Sequence, residues 1–166
     1  MNKFFTTASS DHNFSKWVEG DVRVLFLTGL SGSGKTTAAD ELGDLLDAKV
    51  VHLDQYLRPL IRSKVGNNPD YEKVYFEQGV KLLLEDNPDG KLVIEGCHIT
   101  WFNIKELKEH AVLCMNVSLY LSCYRALRRA LSLTSLKEYG LKGIFKPLMF
   151  NLKQYKRVQS FSQSVC

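Results

Sequence analysis

The stretch Gly29-Leu30-Ser31-Gly32-Ser33-Gly34-Lys35-Thr36-Thr37 constrains this chain more than any other. Glycine, four residues, then Gly-Lys-Ser/Thr is the pattern of a phosphate-binding loop. Its glycines let the backbone turn tightly and bring several N–H groups onto one phosphate chain. A helix that follows adds the positive end of its dipole. In that arrangement Lys35 reaches the β- and γ-phosphates of a nucleotide and the Thr36 hydroxyl holds Mg²⁺. The flanks agree. The apolar run Val22-Arg23-Val24-Leu25-Phe26-Leu27 leads in as a buried strand should, and Ala38, Leu42, Leu45 and Leu46 recur behind the loop at helical spacing. A plain Gly/Ser turn is the alternative, and the motif together with its strand–helix setting argues against it.

Further strands follow. Lys49 to Asp54 reads as a short buried strand ending in an acid, and Lys91-Leu92-Val93-Ile94-Glu95-Gly96 as another. Ala111 to Leu121 is a long apolar run, a fourth strand. Between them, residues 55–69 carry the loop markers Pro59, Gly66, Asn67, Asn68 and Pro69. Asp70 caps a predicted helix through about Glu85 with Val74, Gly79 or Val80, Leu83 and Leu84 inward. Trp101 to His110 is a predicted short helix, and Phe14, Trp17 and Val18 suggest another against the sheet edge. A helix carrying Arg125, Arg128 and Arg129 spans 122–133, residues 134–147 are linker-like around Gly140, Gly143 and Pro147, and a basic amphipathic helix closes the chain at Leu148–Ser160. Residues 1–12 form a loose tail. No fifth strand is evident after the arginine helix; Val158 to Val165 is a poor candidate.

Strands alternating with helices predict an α/β domain: a parallel sheet of four or five strands with helices on both faces, filling residues 1–166. In such sheets ligands sit beyond the carboxyl ends of the strands. The loop at Gly29, Asp54 and Glu95 all fall at such ends, so three distant segments converge on one crevice.

Charge and cysteine usage narrow the setting. The net charge is +4, unevenly spread: from Leu121 onward Arg125, Arg128, Arg129, Lys137, Lys142, Lys146, Lys153, Lys156 and Arg157 stand against Glu138 alone. A basic segment beside a phosphate loop suits anionic substrates, a nucleic-acid face or plain solvated surface. Cys97, Cys114, Cys123 and Cys166 lack paired spacing, which argues against a zinc site or a disulfide framework and for a reducing, cytoplasmic compartment. Cys97 and Cys114 lie in apolar runs, where a free cysteine acts as a small hydrophobe. Phe4 and Phe5 are followed at once by Thr6 and Thr7, too short an apolar core for a signal peptide, and no window approaches a membrane span.

Phosphoryl transfer asks a protein for positioning and for positive charge on the equatorial oxygens. Lys35 and Mg²⁺ supply charge on one side and the arginine trio on the other. Positions 125, 128 and 129 are related by i+3 and i+4 and share a helix face. As a mobile cover they would exclude water and favour transfer over hydrolysis; an exposed helix face is the bland alternative. An acceptor hydroxyl loses a proton as it attacks, and a carboxylate within reach is the usual base. Asp54 is the first choice, with Glu95 as magnesium or water ligand, though their roles are exchangeable. His98 either contacts the acceptor or lies on the surface. Tyr56 either stacks on a flat ring and lines the crevice or simply packs. His12, His52 and His110 show no constellation and read as structural.

These residues resemble the phosphate-loop small-molecule kinases, most closely the uridine kinase group of nucleoside kinases. Leu53-Asp54-Gln55-Tyr56-Leu57-Arg58-Pro59-Leu60 resembles that group's Asp-Asp-Phe-Tyr-Arg segment, in which the first acid is the base towards the sugar hydroxyl and the aromatics border the nucleoside pocket. Asn68-Pro69-Asp70-Tyr71 is loosely similar to its Asn-Phe-Asp-His-Pro segment, and Val93-Ile94-Glu95-Gly96-Cys97-His98 to its Val-Glu-Gly-Ile-His segment. The Arg125–Arg129 cluster resembles its lid. Gln55 stands where the group has a second acid, and the segment at 67–71 lacks the histidine. The resemblance covers roughly residues 22–130 and implies an ATP- and Mg²⁺-dependent kinase acting on a nucleoside 5′-hydroxyl, with the loop amides, Lys35 and Arg128 on the nucleotide and Arg125 and Arg129 over the transferring group. The opening motif is also similar to adenylylsulfate and gluconate kinases. A nucleotide-dependent switch, a nucleic-acid-acting ATPase and a polynucleotide-end kinase are the remaining alternatives.

Overall fold

The computed structural model describes residues 5–6, 10–57, 69–101, 107, 109–131 and 133–165. The elements, in chain order, are β1 (Phe5–Thr6), α1 (Ser10–Glu19), β2 (Val24–Gly29), α2 (Lys35–Leu46), β3 (Lys49–His52), α3 (Pro69–Glu85), β4 (Leu92–Glu95), a 3-10 turn (Cys97–Trp101), β5 (Ala111–Met115), α4 (Leu119–Ala130) and α5 (Leu133–Val165). The strands form one sheet in the order β1-β5-β2-β4-β3. β5, β2, β4 and β3 are parallel, and β1 runs antiparallel along the outer edge of β5 with Phe5 opposite Met115.

Apolar runs without alternation mark strands covered on both faces. β2, β4 and β5 are buried along their whole length. Within them the two-residue period of side chains sorts the core into two layers. Val24, Phe26, Leu92, Ile94 and Val112 face Phe76, Val80 and Leu83 of α3 and Phe161 of α5. Leu25, Leu27, Val93, Ala111 and Leu113 face Trp17 of α1 and Ala39 of α2. Each Val, Leu, Ile or Phe among them contributes about 1.5–3 kcal/mol by leaving water, so the register of the central strands is strongly specified.

Several boundaries differ from the sequence expectation. The apolar run at 111–121 divides: the strand stops at Met115, and Ser118 caps α4 by accepting a hydrogen bond from the Leu121 N–H at 3.2 Å. The arginine helix therefore begins at Leu119 rather than 122. Residues 134–147 are helical, continuous with the predicted terminal helix, in α5. Gly140, Gly143 and Pro147 oppose this locally by about 1 kcal/mol per glycine and 3 for proline. Burial of Asn151, Val158 and Phe161 anchors the helix against the rest of the fold. Val158 to Val165 is thus helix, and the fifth strand comes from the amino-terminal segment, part of which was expected to be a loose tail. Val74 and Leu45, both expected inward, are exposed; Phe76 and Ala39 take the buried positions instead. Trp101 ends the 3-10 turn and Leu107 is helical, but the short helix expected at 101–110 falls mostly on residues 102–106 and 108, which lie outside the described residues. The same holds for the loop at 58–68 and for His12's surroundings.

Candidate active site

Glycine chemistry builds the loop between β2 and α2. Gly32 and Gly34 adopt φ of 82° and 95°, a region in which a Cβ is strained. Gly32 has a second reason to be glycine: a Cβ there would stand 2.7 Å from the Ser122 carbonyl oxygen and 3.3 Å from Arg125 Cβ. α4 therefore lies directly on the loop and brings Arg125 beside it. Arg128 and Arg129 are exposed on the same helix.

The loop is formed to receive an anion. Gly34 is the N-cap of α2 and provides no side-chain acceptor, and no acidic residue stands in the first turn. The orphan N–H groups and the positive helix end are thus left for a ligand. The Lys35 side chain is buried and its Nζ donates to the Leu30 carbonyl at 3.3 Å, so the ammonium is held against the loop. The Ser33 hydroxyl is buried and has no hydrogen-bond partner among the described residues, which suits a phosphate oxygen. Thr37 is exposed on α2.

Parallel pairing of β3 with β4 places His52 opposite Glu95. Glu95 is buried, and its Oε1 accepts from the Thr36 hydroxyl at 3.2 Å. His52 Nδ1 lies 3.1 Å from the same Glu95 oxygen, and its Nε2 lies 3.2 Å from Asp40 Oδ1. His52 is thus part of the site and not the purely structural residue its sequence context suggested. Thr36 and Glu95 offer hard oxygen donors side by side, and those fit Mg²⁺.

Just beyond the ends of these strands, Asp54, two residues past β3, meets His98, three residues past β4. Asp54 Oδ1 and His98 Nδ1 are 3.1 Å apart, and Cys97 Sγ lies 3.5 Å from that nitrogen. Burial drives the His98 pKa down, but its hydrogen bonds to Asp54 and Cys97 and the charge of both outweigh this and push it up to about 10. At neutral pH His98 is an imidazolium paired with the Asp54 carboxylate. An aromatic wall surrounds it: Trp101 edge-on at 4.4 Å, Phe76 at 5.5 Å and Phe150 of α5 at 6.2 Å. Arg157 stands 5.9 Å over the Trp101 ring. Tyr56 is partly exposed and lines a cavity along β3 with His52 and Gln55.

Asn151 was invisible to sequence reasoning. It is wholly buried; its Oδ1 accepts from Ser31 N–H at 3.0 Å and its Nδ2 donates to Ser31 O at 2.9 Å. Nothing local marks an asparagine 120 positions away as a loop partner. Cys97, read as a small hydrophobe, stands beside the Asp54–His98 pair. A signal for His52 did exist: two neighbouring strands each ending near an acid align His52 with Glu95.

Solved structures share this arrangement of sheet and helices. A shikimate kinase from Bacteroides thetaiotaomicron superposes with a TM-score of 0.54 at 18% identity, covering 86% of this chain and 96% of its own. A protein assigned as a fructose transport system kinase from Silicibacter sp. TM1040 gives 0.60 at 14% identity, covering 93% and 95%. The chain adopts the P-loop kinase fold. A shikimate kinase from Acinetobacter baumannii, solved with shikimate, agrees, with a TM-score of 0.54, 19% identity and coverage of 93% and 84%. No protein-family model and no curated protein matches the chain. Among the described residues no helix is long and apolar enough to cross a membrane. The loop follows β2, Glu95 ends β4, and Asp54 lies two residues beyond β3, which stops at His52 and not at Asp54 as the sequence suggested; the uridine kinase-like assignment has no counterpart among these neighbours.

Proposed function

We propose that this protein is an ATP-dependent kinase that moves the γ-phosphoryl of Mg·ATP to an alcohol of a small acceptor, with a nucleoside 5′-hydroxyl as the first candidate. The observation that carries this reading is the placement of Asp54 and the Thr36–Glu95 pair at the ends of adjacent strands, beside an uncapped phosphate loop. Loop amides from Gly29 to Thr37 and the Lys35 ammonium bind the phosphates. Thr36 and Glu95 would hold Mg²⁺, which would supply charge neutralisation at the phosphates. Asp54 accepts the acceptor's proton, and His98 orients that carboxylate and contacts the acceptor. Arg125 and Arg129, on the helix that touches Gly32, cover the transferring group, and Arg128 contacts the nucleotide.

The aromatic wall of Phe76, Trp101 and Phe150 around His98 favours an acceptor carrying a ring. Arg157 over Trp101 favours a second reading, an anionic polyol such as a cyclic hydroxy acid. ADP release from ATP, measured across nucleosides, sugars, hydroxy acids, adenylylsulfate and oligonucleotide ends, tests both. Stimulation by a nucleoside is the expected result, and stimulation only by a hydroxy acid selects the second reading. Calorimetry showing no binding of any nucleoside triphosphate with divalent ions would overturn both. An activity requiring nucleic acid and falling steeply with salt would favour the ATPase alternative.

A further inference from the structure

The cluster at Asp54, Cys97 and His98 carries chemistry that phosphoryl transfer does not use. One carboxylate oxygen, one sulfur and one ring nitrogen lie within 4.8 Å of one another. Their convergence follows from the sheet: His52 is paired with Glu95, so the residues just beyond β3 and just beyond β4 share one corner. Four-coordinate zinc has bonds of about 2.3 Å to sulfur and 2.0–2.2 Å to nitrogen and oxygen, which set neighbouring donors about 3.3–3.6 Å apart. The observed separations are 3.1 Å for Asp54 Oδ1 to His98 Nδ1 and 3.5 Å for Cys97 Sγ to His98 Nδ1. Asp54 and Cys97 also lie within 4.8 Å of each other, so a shift of the Asp54 carboxylate would bring the three donors around an ion.

We propose that Asp54, Cys97 and His98 form a binding site for one thiophilic divalent cation of the zinc class. The donor set selects the metal. Thiolate, imidazole and a single carboxylate suit zinc, whereas Mg²⁺ prefers the all-oxygen pair at Thr36 and Glu95. Access and confinement also fit. The Cys97 side chain is buried and that of His98 only 12% exposed, while the Asp54 side chain is 43% exposed, so an ion enters from the Asp54 side and keeps a water on its open face. The apolar ring of Trp101 at 4.4 Å walls the histidine from behind. Binding breaks the Cys97 S–H bond and one imidazolium N–H bond. Both protons go to solvent, and the freed electron pairs, with that of Asp54, form the three metal bonds.

This site has a consequence that rests on the proposed function. An ion there occupies the carboxylate assigned as base, so zinc would arrest transfer while the Mg²⁺ pair stays intact. Titration of the full-length protein with Co²⁺, a spectroscopic stand-in for zinc, should give one equivalent of a four-coordinate species with a thiolate charge-transfer band. Zinc should displace it. C97S should abolish the band while keeping the melting temperature within a few degrees, and C123S should preserve it. A wild-type protein without a thiolate band, or a band that survives in C97S, overturns the site.

Zinc should also lower acceptor-dependent ADP release by about 10²-fold or more, the scale of losing a general base. C97S should resist inhibition, judged against its own zinc-free turnover. Undiminished wild-type turnover at zinc levels that saturate the site would overturn the control while leaving the site. Because the cobalt band needs no turnover, failure of the kinase reading and failure of the metal site are separately visible.

Discussion

Asn151 holds the backbone of Ser31 by both its amide and its carbonyl, at 3.0 and 2.9 Å, and so ties the last helix to the phosphate loop. One side chain satisfies the two main-chain groups that a turn would otherwise leave open. Asn151→Ala should cost about 1–3 kcal/mol, because two buried polar groups lose their partner. That predicts a lower denaturation midpoint together with a raised KM for ATP. Asn151→Asp keeps the acceptor but loses the donor and places an anion by the loop, so its KM should rise further than its stability falls. Equal nucleotide affinity in both variants and wild type would remove the loop-holding role.

At Gly32 strain and crowding coincide. Gly32→Ala brings a Cβ to 2.7 Å from the Ser122 carbonyl at a φ of 82°. Gly90 shows a φ of 79° with nothing within 4 Å, so Gly90→Ala measures the strain alone, about 1–2 kcal/mol. Denaturation should place Gly32→Ala well below Gly90→Ala, and calorimetry should find nucleotide binding weakened only in the former.

Lys35→Ala and Asp54→Asn should each reduce turnover by about 10²–10⁴-fold with the fold intact. The two should differ in kind. Lys35→Ala weakens nucleotide binding, whereas Asp54→Asn leaves it near wild type and lowers kcat. Steady-state kinetics with nucleotide titrations separates them, and near-normal turnover of Asp54→Asn on the true acceptor would end its assignment as base.

The His110 ring meets the edge of Phe26 at 5.4 Å, and its pKa is lowered from 6.5 by burial, with Glu109 opposing and Arg23 reinforcing the shift. The unfolded chain therefore binds a proton that the folded chain does not. The sign follows: this group's stabilisation is complete above about pH 6.5 and declines as pH falls below it. Between pH 7.5 and 5.0 the wild-type melting temperature should fall relative to that of His110→Asn, a comparison in which the opposite-signed contribution of His98 cancels.

The buried strands were legible because apolar runs are local and their period is set by backbone geometry. Strand ends and helix limits were less so. Ala111 to Leu121 is apolar throughout, and only the Ser118 cap divides it into strand and helix. Gly140, Gly143 and Pro147 mark a break by propensity, yet the helix runs through them to segments held by burial of Asn151 and Val158. Tyr56 shows the same gap at the site: its residue type left open the crevice wall or plain packing, and only the fold sets it beside His52 along a cavity at β3.

What the chain determined by itself is the phosphate loop and the acids at the strand ends, because Gly-rich backbone geometry and strand polarity act over a few residues. Only the tertiary structure decided who stands next to whom. His52 reaches Glu95 through strand register, Cys97 reaches the Asp54–His98 pair because β3 and β4 are neighbours, and Asn151 reaches Ser31 because α5 docks across the sheet. Such contacts depend on the packing of whole elements, and the free energy that selects that packing is spread over the core and not stored in any local stretch.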